Sequence, residues 1–200
     1  MRNSNKVHRL TQMAILVAII FLLAFTPLGY LTIGPIAATT VQMPVIIGAV
    51  LMGPTAGLIL GFFFGLSALI KVLTMPGADA FAYAILTYSP AAYLVICVAA
   101  RVLMGFLAGL VGAALKKAAE KKPAVRYAVT GFVGSLLNTV FYLGFLWLLA
   151  AQVVANTYGV ALGEVGGIVM GTAVTAGLPE AAVSAVVVTA VCKALERVFR

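Results

Sequence analysis

The chain reads as an all-α integral membrane protein of six transmembrane helices with both termini in the cytoplasm. Three observations predict this. Of 200 residues, 64% are hydrophobic and 9% charged, whereas soluble domains carry roughly 25% charged residues, so the polar surface needed for a water-soluble fold is missing. Apolar stretches of spanning length recur along the whole chain, separated by proline- and glycine-marked breaks. Finally, the basic residues cluster in the N-terminal tail (Arg2, Lys6, Arg9), in the stretch Lys116–Arg126 and near the end (Lys193, Arg197, Arg200). That clustering is the positive-inside pattern of membrane topology. The net charge of +8 is therefore no nucleic-acid footprint, and no nucleic-acid partner is expected. Residues 1–200 form a single transmembrane domain, with no room for a soluble enzyme domain beside the spans.

The first span, Thr11–Phe25, runs unbroken to Thr26-Pro27 and is read as retained rather than cleaved. Pro27–Thr40 (PLGYLTIGPIAATT) has two prolines and two glycines and is expected to be irregular. Such backbone is tolerated near a membrane only where protein buries it or it lines a cavity. Val41–Met52 is a short second segment, joined through Gly53-Pro54 to the third, Thr55–Leu73, as a tight helical hairpin. Thr74–Ser89 is expected to be a loop, and Pro90–Leu115 is the fourth segment with Pro90 in its first turn. After the basic loop KKAAEKKPAVR come the fifth segment, Tyr127–Val154, and a glycine-rich stretch, Ala155–Gly177, read as a loop with some helix. The sixth segment, Leu178–Val198, opens at Pro179. No internal repeat is visible, which weighs against inverted-repeat transporters.

Arg101 lies inside the fourth apolar segment, where almost no other charge occurs. A cation near the bilayer centre costs at least ~2.5–3.5 kcal/mol unless something satisfies it. Its partner is either the carboxylate of a carried ligand or Glu180, as a salt bridge. Arg101 lies roughly 16 Å along its helix from Pro90, and Asn138 about 18 Å from Arg126. In a membrane ~30 Å thick, both reach mid-depth from opposite faces. Asn138 and Thr139 offer amide and hydroxyl groups for a ligand, or Asn138 serves as an interhelical hydrogen bond. Glu180, beside Pro179 at the expected helix start, either caps that helix or faces Arg101. Thr39, Thr40 and Gln42 stand where a lid closes over a pocket. Tyr83 and Tyr88 read as interfacial aromatics, and Met43, Phe62, Phe63 and Phe64 as lipid- or core-facing. Gly105, Gly109 and Gly112 make smooth rows for internal packing, and Ala14 and Ala18 form a small-residue face on the first helix.

Cys97 and Cys192 are isolated in apolar segments and His8 is the only histidine, so no metal site, cofactor or Ser/His or Cys/His catalytic pair is expected. With Asp79 the only aspartate, paired intramembrane aspartates are also excluded, and the chain is not read as an enzyme. A solitary proton-coupled carrier lacks its relay. A membrane scaffold is the remaining competitor, distinguished by the absence of a saturable ligand site.

Size, span number, AxxxA at Ala14 and Ala18, and the strings IGPIAATTVQMPVIIGAVLMGPTAG (Ile33–Gly57), GSLLNTVFYLG (Gly134–Gly144) and GLPEA (Gly177–Ala181) together carry a resemblance. The chain resembles the substrate-binding S components of energy-coupling factor (ECF) transporters over nearly its whole length. It looks most like the pantothenate-type branch rather than the riboflavin, folate or thiamine types. The resemblance implies a subunit that captures a vitamin from outside and topples in the bilayer to deliver it. Its implied partners are a transmembrane coupling subunit and two cytoplasmic ATPases, within the lipid of a prokaryotic plasma membrane. Ala14 and Ala18 would face the coupling subunit, and Pro27–Thr40 would gate the pocket. No GxxxxGK[ST] phosphate loop is present, in keeping with ATP hydrolysis by separate subunits. Pantothenate, with one carboxylate, an amide, two hydroxyls and no ring, matches Arg101 with Asn138 and Thr139. The chain departs from the family pattern at Ala176, where the resemblance leads one to expect Asn before Gly177. A ligand contact made by that Asn would have to move, or the ligand differs.

Overall fold

The structure, a computed structural model, describes residues 2–33 and 36–196, with side chains described for 6–29 and 39–196. Gly34 and Pro35 of the expected gate, and Arg197 and Arg200 of the C-terminal basic group, lie outside the described residues. The helices are α1 (Arg2–Ala24), α2 (Gln42–Met52), α3 (Pro54–Thr74), α4 (Ala80–Tyr88), α5 (Pro90–Leu94), α6 (Ala100–Ala118), α7 (Pro123–Tyr158), α8 (Val165–Thr172) and α9 (Leu178–Leu195). A π-helical turn, Val95–Ala99, joins α5 to α6, and another, Ala173–Gly177, joins α8 to α9. Among the described residues, five helical stretches are long and apolar enough to cross a membrane: Lys6–Ala24, Pro54–Thr74, Pro90–Ala118, Pro123–Tyr158 and Leu162–Leu195.

The expected second span is the exception. With 11 residues, α2 reaches about 16 Å, roughly half the ~30 Å hydrocarbon core. In the Pro27–Thr40 segment, expected to be irregular, the described residues 27–33 and 36–39 take up regular structure. They include an antiparallel hairpin, β1 (Tyr30–Ile33) with β2 (Ile36–Thr39), in which Tyr30 faces Thr39 and Ile33 faces Ile36. Pairing two strands satisfies backbone groups that a loop would leave bare at the edge of the apolar layer. The helix that follows is central: every residue from Gln42 to Val50 is buried. Its C-terminal carbonyls are satisfied from two sides. Arg9 of α1 donates Nη2 to the Met52 carbonyl at 2.7 Å, and Arg126 of α7 donates Nη2 to the Val50 carbonyl at 2.5 Å. Cations at a helix C-terminus are electrostatically favoured there. These contacts also gather the start of α1, the Gly53 turn and the start of α7 at one end of the bundle.

Glycines set the spacing between α3 and α6. A Cβ at Gly57 would lie 2.1 Å from the Gly105 carbonyl oxygen, and one at Gly61 would lie 2.2 Å from that of Arg101. A Cβ at Gly65 would fall 2.6 Å from the Val98 Cα. The expected internal packing role of Gly105 and Gly109 holds, while Gly112 packs more loosely. The matching row on α3, at i, i+4 and i+8, is what lets the Arg101 turn seat against its neighbour.

The expected loop Thr74–Ser89 contains a helix, and Ala155–Gly177, expected as a loop with some helix, is largely helical. In Thr74–Ser89, Asp79 accepts from the Ala82 amide at 2.9 Å and starts α4, while Ser89 accepts from the Ala92 amide at 3.2 Å and starts α5 with Pro90. In Ala155–Gly177, α7 continues to Tyr158 and stops at Gly159, whose φ of 65° is left-handed. Helix then resumes before the glycines end, with Gly166, Gly167 and Gly171 inside α8.

Candidate functional site

Glu180 lies in the first turn of α9, as expected, but α9 continues from α8 through the π turn at Ala173–Gly177. Pro179 lacks an amide hydrogen, and the ladder adjusts by one wider turn instead of stopping. Glu180 is therefore inside a helical run, 7% exposed, and is not a helix cap. Nor does it pair with Arg101. Its Oε1 accepts from Gln42 Nε2 at 2.6 Å and from the Thr39 amide at 3.2 Å. Gln42 Nε2 also donates to Ser135 Oγ at 2.9 Å. The carboxylate thus ties the end of β2 to α2, α7 and α9 rather than to Arg101; among the described residues the carboxylate nearest in arrangement to Arg101 is Asp79, which lines the same small cavity without a hydrogen bond to it.

Arg101 is half-buried. Its Nη1 donates to the Cys97 carbonyl at 2.7 Å, within the first π turn. The guanidinium carbon sits 4.5 Å from the centroid of the Phe64 ring and 5.4 Å from that of Tyr142. Aromatic faces stabilise a desolvated cation, while the buried Nε has no hydrogen-bond partner. Phe64, expected to be only core- or lipid-facing, is the shelf beneath this cation. A small cavity of about 40 Å³ opens beside it, lined among others by Lys71, Asp79, Tyr93, Cys97 and Tyr142.

A second cavity of about 180 Å³ lies between α7, the α8–α9 junction and the hairpin. Thr39, Asn138, Thr139 and Glu180 all line it, as do Thr172 and Ala176. The buried Asn138 Oδ1 has no partner, so the amide is not consumed by an interhelical bond through that atom. Thr139 Oγ1 donates to the Ser135 carbonyl at 3.3 Å, and its side chain packs on Gly177, where a Cβ would fall 2.6 Å from Cγ2. Thr40 takes no part in lining the cavity: its hydroxyl donates to the Leu28 carbonyl at 2.6 Å and fixes the approach to the hairpin. Gln42 stands behind Glu180 rather than in the cavity.

Four of the seven expected ligand residues thus share one cavity, and Arg101 occupies an adjoining one. Sequence reasoning missed Lys71, Asp79, Tyr93, Phe64 and Tyr142. Two signals were available: Tyr142 follows Asn138, and Arg101 follows Cys97, at i+4 on a common helix face. Tyr83 and Tyr88 are exposed, at 43% and 57%, as expected of interfacial aromatics. Ala14 and Ala18 are exposed on α1, opposite the face that buries Leu16 and Ile20. Among the described residues, no three His, Cys, Asp or Glu side chains gather as a metal site.

The candidate site thus comprises a cation on aromatic faces, an amide oxygen without a partner and a buried carboxylate, set around two small cavities between apolar helices. Comparison with curated proteins found no match. A family model, ECF transporter, substrate-specific component, matches residues 8–192. The chain therefore belongs to the substrate-specific components of ECF transporters, membrane-embedded binding subunits rather than enzymes, which act with a transmembrane coupling subunit and ATPase partners.

Proposed function

We propose that this subunit captures pantothenate from outside the cell and delivers it inward by toppling against the coupling subunit, with both of its own termini in the cytoplasm. The observation that carries the substrate is Arg101: a cation in an apolar helix whose Nε has no hydrogen-bond partner and which, among the described residues, is hydrogen-bonded to no carboxylate. Such a group is stabilised by one ligand carboxylate, which an Arg fork binds bidentately. Asn138 and Thr139 then serve the amide and hydroxyls. Glu180, backed by Gln42, accepts a hydroxyl through its remaining oxygen, and Thr39 and Thr40 hold the hairpin as the closing element. Both cavities fall below the ~300–1,000 Å³ usual for small-molecule pockets, which favours a slim, ring-free vitamin over riboflavin or folate. Ala14 and Ala18 form the face toward the coupling subunit.

The test is thermal unfolding of the detergent-purified subunit against a vitamin panel. A ligand bound only by the native state adds RT ln(1 + [L]/Kd), about 2.7 kcal/mol at a hundredfold excess over Kd. Stabilisation by pantothenate, lost in Arg101→Ala, is the expected result. Stabilisation by another vitamin alone reassigns the pocket, and none by any vitamin overturns the reading.

A further inference from the structure

Among the described residues, Tyr142 alone lines both the 180 Å³ cavity and the 40 Å³ cavity. The charges on its two sides differ. On one side Arg101 and Lys71 stand with Asp79, two cations and one carboxylate, leaving one net positive charge. On the other side the lining is neutral and hydrogen-bonding, through Asn138, Thr139 and Thr172, apart from the Glu180 carboxylate already engaged by Gln42 and Thr39. We propose that Tyr142 is a specificity-determining partition, which divides one elongated site into an anion chamber and a neutral chamber. The ligand class is then a linear monoanion with unlike ends, joined by a linker slim enough to pass one aromatic ring. This rests on the reading that Arg101 and Asn138 grip the same molecule.

Physical reasoning supports each part. Arg101 keeps its Cys97 carbonyl bond and its Phe64 shelf whether or not the Tyr142 ring moves, so the partition can yield without releasing the cation. A second ligand carboxylate would enter a chamber whose spare positive charge is already matched, and Asp79 would repel it. A ring-bearing anion would need the space the Tyr142 side chain fills.

Two measurements separate this proposal from the choice of substrate. Cys97 lines the anion chamber, so its alkylation by a bulky maleimide, read by peptide mass spectrometry without any ligand, reports entry to that chamber. Removing the ring in Tyr142→Ala, or in Tyr142→Leu should the first variant fold poorly, should speed Cys97 alkylation about tenfold or more, since thiol reactivity follows access. Tyr142→Phe should leave the rate unchanged. An unchanged rate in folded Tyr142→Ala or Tyr142→Leu overturns the partition, whatever the ligand. Binding supplies the second measurement: wild type should exclude biotin and dicarboxylates such as succinate. Tyr142→Ala should admit biotin, and Asp79→Asn should admit the dicarboxylate. Continued exclusion of both by the variants overturns the specificity role. If alkylation accelerates but wild type ignores pantothenate, the partition stands and the substrate assignment falls.

Discussion

Arg101 illustrates how a membrane-depth cation is kept tolerable while remaining available. One carbonyl and two ring faces take part of its charge, its buried Nε has no partner, and the residue lines a small cavity. A lysine there would keep the charge but lose the planar fork and its stacking. Arg101→Lys should therefore bind pantothenate more weakly by about 1.5–3 kcal/mol, the range of one charge-assisted hydrogen bond, with little change in ligand-free melting temperature. Calorimetric titration checks it; wild-type affinity in Arg101→Lys would sink the fork as the anchor. The candidacy of Arg101 was legible from the sequence because an isolated charge in an apolar run has few explanations. Its true neighbours were not, since Phe64 and Tyr142 reach it from other helices and aromatic residues are common in any span. The Glu180 pairing failed for the same reason: two opposite charges at similar depth say nothing of which helix faces separate them.

The hairpin and the short α2 act as one element, fastened at both ends. At the basic end Arg9 and Arg126 hold the last carbonyls of α2; at the other end Glu180 holds the Thr39 amide and Gln42. Removing the acceptor in Glu180→Ala leaves buried donors unpaired, a cost of about 1–3 kcal/mol. Glu180→Gln retains an acceptor oxygen. Amide exchange in residues 36–39 and ligand dissociation should both quicken in Glu180→Ala and stay near wild type in Glu180→Gln; equal effects in both would assign the role to charge instead of the bond. Packing between α3 and α6 makes a second test. Gly61→Ala places a methyl against the Arg101 carbonyl, and overpacking of this kind costs about 1–3 kcal/mol. A lowered melting temperature with weakened ligand binding is expected, because the same backbone carries the guanidinium. A neutral Gly61→Ala would mean that the helices separate freely. Apolar length and proline breaks made the five long helices readable. They could not reveal the hairpin, whose strands depend on pairing with each other, nor the π turns, which absorb Pro179 where a helix start was the simpler expectation.

For the whole molecule, the distribution of unlike surfaces decides how it works with partners. The polar side chains of the two candidate cavities lie between helices, whereas α1 presents much of its apolar surface outward, including Ile15, Ile19 and Leu22. Ala14 and Ala18 interrupt those bulky side chains on the exposed side. Small residues one turn apart let another helix approach closely, and association within lipid relies on such packing because no hydrophobic gain is available there. Ala14 is outside both cavities, so binding and assembly should separate on mutation. Ala14→Trp places an indole on this face without touching the core. The isolated variant should keep wild-type melting temperature and pantothenate-induced stabilisation, yet copurify poorly with the coupling and ATPase subunits and lose uptake in reconstituted vesicles. Ala14→Gly, which preserves the smooth surface, should retain assembly. Normal copurification of a folded Ala14→Trp protein would move the coupling surface to another face of the bundle, while lost ligand stabilisation in it would mean that α1 shapes the pocket as well.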